Sequence, residues 1–270
     1  MEIQAVSTIA IIGLVFSTIL SIGFPIACMI AGKKKYKAKL SSFFIGAATF
    51  LVFAMILEQI LHVAVIGGLK LSKESNEWLY YIYGAAAAAV FEETGRIVAM
   101  KFFMKKQFSF SNAFMYGIGH GGVEAIFIGG IINVFNVLCV VMINSGVLQG
   151  YLETVPDETR NKTIESLSSF WTTPSSLFFA SGIERVSAVI LHIGLSLLIY
   201  KGLKECKKAV VAIAYGLHFA VDFVTVACAS RISIWVVEVF VFIAAVAIFI
   251  LAYKMNKGNY DDEPEEIMEV

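Results

Sequence analysis

Long apolar runs decide what this chain can fold into. A helix crossing the ~30 Å hydrocarbon core of a bilayer takes about 20 apolar residues. Seven stretches reach that length: 6–30, 42–67, 78–104, 112–144, 176–200, 209–230 and 232–255. Charged residues make up only 16% of the 270, against roughly 25% in soluble domains. Backbone in lipid must satisfy its own hydrogen bonds. The expected fold is therefore all-α, a polytopic bundle of about seven transmembrane helices in the cell membrane.

The segments between the runs set the organisation. One transmembrane domain is expected over 1–258. The polar stretch 145–175 would form an extracytoplasmic loop, with room for a short surface helix, and 259–270 an acidic cytoplasmic tail. The run at 112–144 is long for one crossing, so it is either tilted or broken near Gly129-Gly130. The first run is too long for a signal peptide and no basic segment precedes it, so it reads as a retained helix. Alternate connections hold fourteen Lys or Arg and the opposite set five, while Arg96 and Arg185 fall inside runs. The positive-inside rule then places the N-terminus outside and the C-terminus in the cytoplasm. Net charge is zero, which gives no field for nucleic acid. Cys28, Cys139, Cys206 and Cys228 are scattered without metal spacing and read as small apolar residues.

Ionisable residues inside the runs are the functional signal, because each costs at least ~2.5–3.5 kcal/mol at mid-membrane. The third run holds Glu92, Glu93 and Arg96, and the fourth His120 and Glu124 among Gly117, Gly119, Gly121 and Gly122. The fifth holds Glu184, Arg185 and His192, and the sixth His218 and Asp222. Glu92 and Arg96, His120 and Glu124, and His218 and Asp222 are each four apart, so each pair shares one helix face. Counted from the flanking lysines at ~1.5 Å per residue, the groups lie roughly 10–18 Å deep, near one level. The glycines permit close helix approach. Glu58 and His62 sit nearer the outer side and read as a packing or gating pair. Glu184, Arg185 and His192 are expected to support the site from behind.

Apposed carboxylates in a low dielectric raise one pKa and so yield a general base for water. In order, these residues form an EExxR element, a GHGGxE element, an ER element with a later His, and a terminal HxxxD. The set resembles the YhfC-type intramembrane proteases within the CAAX-protease and bacteriocin-processing superfamily, over roughly residues 85–225. That resemblance implies a peptidase of glutamic type in a bacterial plasma membrane. Glu92 would activate water, and Glu93 and Arg96 would position and balance it. His120 would bind water or substrate, and His218 with Asp222 would form the oxyanion side. Asp222 stands where relatives often carry Asn, and an ionised carboxylate only accepts. The expected substrate is a membrane protein or lipidated peptide. No cofactor is expected; if zinc is used, His120, His218 and Glu92 are its expected ligands. The rival readings are a proton-coupled transporter, built on the same buried acids, and a non-enzymatic immunity or sensor protein.

Overall fold

The computed structural model describes residues 2–260, so nearly all of the tail expected at 259–270 lies outside the described residues. The chain is an all-α membrane bundle. Its long helices are α1 (Thr8–Tyr36), α2 (Leu40–Gly68), α3 (Lys73–Val98), α4 (Phe110–Asn144), α8 (Leu177–Lys204), α9 (Lys208–Ala229) and α10 (Ile234–Met255). Three short helices, α5 (Val147–Leu152), α6 (Asp157–Leu167) and α7 (Ser169–Thr172), fill the expected loop at 145–175. Among the described residues, six of the long helices are apolar and long enough to cross a membrane; α3 is the exception because its charges lower its hydropathy.

Local chemistry sets the helix ends. Ser7 starts α1 by accepting from Ala10 N, and Ser72 starts α3 with a reciprocal Ser75 capping box. Ser109 does the same for α4 through Asn112 N. Such side chains satisfy amide donors that have no partner in the first turn. After α1, Lys37 takes the left-handed conformation (φ 52°) and reverses the chain.

The fourth apolar run is not broken at Gly129-Gly130. It continues as one helix through a π-helical segment, Ala125–Ile131. π-helical segments also occur at Phe53–Glu58 and Val63–Gly68 in α2, and at Ala99–Phe103, which continues α3. One ends at buried Glu58 and another begins just after half-buried Glu124. Insertions of this kind often mark functional sites.

α8 is the axis of the bundle. Of its apolar window 72% is buried, against 22–33% in the other spans. It packs against α1, α4, α10 and α9. α4 is wedged between α2 and α8 at backbone distance: a β-carbon on Gly117 would lie 2.7 Å from Ile193 Cα, and one on Gly119 2.7 Å from the carbonyl carbon of Phe43. Outward positions such as Ile12 and Ile19 on α1, and Val239 and Ile243 on α10, are exposed and apolar, as a lipid-facing surface requires.

Candidate active site

α3, α4, α8 and α9 bring their polar residues to one place inside the bundle. Glu92, Glu93, Arg96, His120, His192 and His218 are all buried. Arg96 is the hub. Its Nη1 donates to His192 O (2.9 Å) and Ser196 Oγ (2.7 Å), and its Nη2 to His192 Nδ1 (3.0 Å). Its Nε faces Glu93 Oε2 at 3.1 Å, and Nη2 lies 3.9 Å from Glu92 Oε2. A guanidinium only donates. His192 Nδ1 therefore accepts, and the ring proton sits on Nε2, which is 2.6 Å from Glu124 Oε2.

The other imidazoles are held by carboxylates too. His218 places Nδ1 2.9 Å from Glu93 Oε1, and its Nε2 faces Asp222 Oδ2 at 3.4 Å. His120 places Nε2 2.9 Å from Glu92 Oε2, while its buried Nδ1 has no hydrogen-bond partner among the described residues. The rings of His120 and His192 are 5.0 Å apart, and those of His192 and His218 5.4 Å.

Every residue named from the sequence lies in or beside this network, with altered pairings. His120 and Glu124 share a face of α4 but bond to different helices, His120 to Glu92 and Glu124 to His192 and Arg185. Arg185 links Glu124 (2.8 Å) to Glu184 (2.5 Å), so the α8 pair forms the outer edge of the network. Glu58 and His62 pair with each other at 3.2 Å, and His62 Nδ1 meets Tyr83 OH at 2.8 Å. Ser196 was not named from the sequence. Its signal is the spacing of four from His192, which sets both on one face of α8.

A metal would find a different donor set from the one expected. Glu92, His192 and His218 each offer an atom within 4.8 Å of the others, and all three are buried. His192 takes the place expected for His120. The ring nitrogens differ: His192 backs Nε2 on Glu124 and turns Nδ1 to 3.8 Å from Glu92, His218 backs Nδ1 on Glu93 with Nε2 facing Asp222, and His120 spends Nε2 on Glu92 itself. Metal-ligating histidines are oriented in this way by carboxylates. Two imidazoles and a carboxylate are also a known catalytic zinc set. The residues present therefore fit a metal.

The YhfC intramembrane metalloprotease family model matches residues 19–241. The chain belongs to the YhfC family. It is 38% identical over 203 residues to the uncharacterized membrane protein YhfC of Bacillus subtilis (strain 168), covering 74% of this chain and 78% of that protein. No solved structure matches it. The YhfC match spans the helices that carry the buried network, from α3 through α9, together with α2 and most of α1.

Proposed function

We propose that the chain is a metal-dependent intramembrane endopeptidase acting on a membrane-associated peptide, with Glu92, His192 and His218 as the metal ligands. The observation that carries this is the pair of carboxylate-backed imidazoles turned toward Glu92. Charge balance supports it. Glu92, Glu93 and Glu124, the least exposed carboxylates of the network, face two guanidiniums, Arg96 and Arg185. Uncompensated buried charge is expensive, and a divalent cation offsets the acidic excess. A bound zinc-type ion supplies Lewis acidity toward a carbonyl oxygen and makes water more acidic.

The chain's own residues do the rest. Glu93 and Glu124 fix the tautomers of His218 and His192. Arg96 ties α3 to α8 and holds positive charge beside Glu92. His120 lies outside the ligand group, and its open Nδ1 is the place where it can hold a proton.

Arg96 also favours a second, metal-free reading of glutamic type. Its guanidinium already occupies His192 Nδ1 and sits 3.9 Å from Glu92, giving the carboxylate a cationic neighbour. In that reading Glu92 takes the proton of water directly.

One experiment separates the readings. Full-length protein purified in detergent is assayed for bound metal and for cleavage of a membrane-peptide library, as wild type and Glu92→Gln, with and without chelator. Stoichiometric metal, cleavage lost on chelation and restored by zinc, and loss of both in Glu92→Gln are expected. Cleavage indifferent to chelator but lost in Glu92→Gln establishes the glutamic reading. Proton flux in vesicles without cleavage overturns both in favour of a transporter.

A further inference from the structure

A cavity of about 500 Å³ opens beside the polar network, within the ~300–1,000 Å³ typical of ligand sites. α2, α3, α8 and α9 wall it, through His62, Tyr80, Tyr83, Gly84, Glu184 and Asp222 among others. It adjoins the network directly. Asp222 belongs to both, through His218, and Glu184 shares Arg185 with Glu124. These two carboxylates are the exposed ones of the cluster, at 32% and 37%, against 13% or less for Glu92, Glu93 and Glu124.

The wall combines fixed and open parts. Tyr83 is pinned by His62. Gly84 is open: a β-carbon there would meet nothing within 4 Å. Among the described residues, no lysine or arginine lines the cavity. Asp222 and Glu184 are charged groups in an otherwise largely apolar wall that includes Ile66, Ala85, Ala88 and Val226, which suits a side chain with an apolar stem and a cationic head.

We propose that this cavity is the substrate cleft and that it takes an unwound peptide segment presenting a lysine or arginine side chain to Asp222 and Glu184. The proposal rests on the peptidase reading for its meaning but not for its test. It makes Asp222 a specificity residue that reads the side chain next to the bond being cut. It also makes the end of the bundle near Tyr80 and Tyr83 the side from which peptide enters.

The test uses two fluorescent apolar peptides that differ only by lysine or norleucine at the central position. Their binding to the full-length protein in detergent is read by anisotropy, with cleavage followed in parallel, for wild type and Gly84→Leu. The lysine peptide is expected to bind at least tenfold more tightly. Gly84→Leu is expected to remove that binding while leaving the unfolding temperature and any bound metal unchanged. Equal binding of the two peptides overturns the cationic preference. Full binding by Gly84→Leu overturns the cleft. Selective binding lost in Gly84→Leu, but with no cleavage by wild type, upholds the cleft and removes the peptidase reading instead.

Discussion

Replacing Gly119 by alanine adds one methyl group at the tightest helix contact of the site. The new β-carbon would lie 2.7 Å from the carbonyl carbon and 2.8 Å from Cα of Phe43 on α2. Carbon atoms settle at ~3.5–4.0 Å, and the Phe43 carbonyl oxygen is nearer still, so α2 and α4 must part by more than ~0.8 Å. The obstacle is backbone, and no rotamer change relieves it. The contact is reciprocal, because a β-carbon on Gly46 of α2 would lie 2.9 Å from His120 N. Overpacking of this kind costs about 1–3 kcal/mol, or a fall of roughly 2–12 °C in unfolding temperature. The functional loss should be larger than the stability loss. His120 follows Gly119 directly, and its 2.9 Å contact with Glu92 spans α4 to α3. Misplacement of about 1 Å can cost ~100-fold in rate. The assay is thermal unfolding in detergent together with peptide cleavage, with Gly23→Ala as the control. Gly23 lies on α1 with nothing within 4 Å of a β-carbon, and alanine there gains up to ~1 kcal/mol of helix propensity. If Gly119→Ala matches Gly23→Ala in both stability and cleavage, the close-approach argument for the glycines fails.

Arg96→Leu leaves Glu93 buried without its guanidinium and should destabilise by about 3–5 kcal/mol. Arg96→Lys keeps the charge but loses the fork to His192 and Ser196, and should fall between Arg96→Leu and wild type in chemical unfolding. Glu92→Gln should lower cleavage at least ~100-fold with secondary structure intact by circular dichroism. Ser196→Ala removes one neutral acceptor from Arg96 and should cost about 1 kcal/mol, read as a small shift in unfolding midpoint. At the N-terminal end of α3, Tyr81 OH donates to Glu77 at 2.9 Å, and Arg231 and Lys73 add positive charge. These contacts hold the Glu77 carboxyl below its ordinary value of 4.5. A depressed carboxyl stabilises above its ordinary pKa and loses that contribution as pH falls through the depressed one. Glu77→Gln should therefore show a smaller drop in unfolding temperature on acidification from pH 6 than wild type does.

The helices were legible because apolar length is a coarse and strong signal. Their boundaries moved by a few residues where Ser7, Ser72 and Ser109 act as caps. The π-helical segments were not legible. They have no residue signature, and each shifts the helical phase, so faces drawn at 3.6 residues per turn drift beyond them. That drift matters after Glu124, where the run expected to be either tilted or broken near Gly129-Gly130 continues through a π segment packed on Ser21 and Arg185. Within the site, the i,i+4 spacing marked which residues face inward and not which partner each would choose. Glu92 and Arg96 share a face, yet the shorter contact of Arg96 is to Glu93, at 3.1 Å. His192 looked secondary because no sequence neighbour pairs with it; its partners, Arg96 and Glu124, come from α3 and α4.

α8 accounts for the position of His192. The most buried helix of a bundle is the one that all others can reach, so a side chain on it meets partners from several directions. His192 takes Arg96 from α3 at Nδ1 and Glu124 from α4 at Nε2, and its ring lies 5.4 Å from that of His218 on α9. Its neighbours are therefore fixed by three helix interfaces rather than by its own rotamer preference. A ligand held in that way needs little reorganisation to bind a metal, apart from release of Nδ1 by Arg96. The guanidinium still has His192 O, Ser196 Oγ and Glu93 to hold it when it lets go. Metal affinity should then depend on Glu124, which touches no proposed ligand atom directly but fixes the His192 tautomer through Nε2. Glu124→Gln can rotate its amide to accept from Nε2–H and should retain metal better than Glu124→Leu, which leaves the ring free to flip. Second-layer carboxylates of this kind are worth ~10–100-fold in affinity. Competition with a zinc chelator measures it, and equal affinities for the two variants would remove Glu124, and with it the carboxylate-backed geometry, from the metal site.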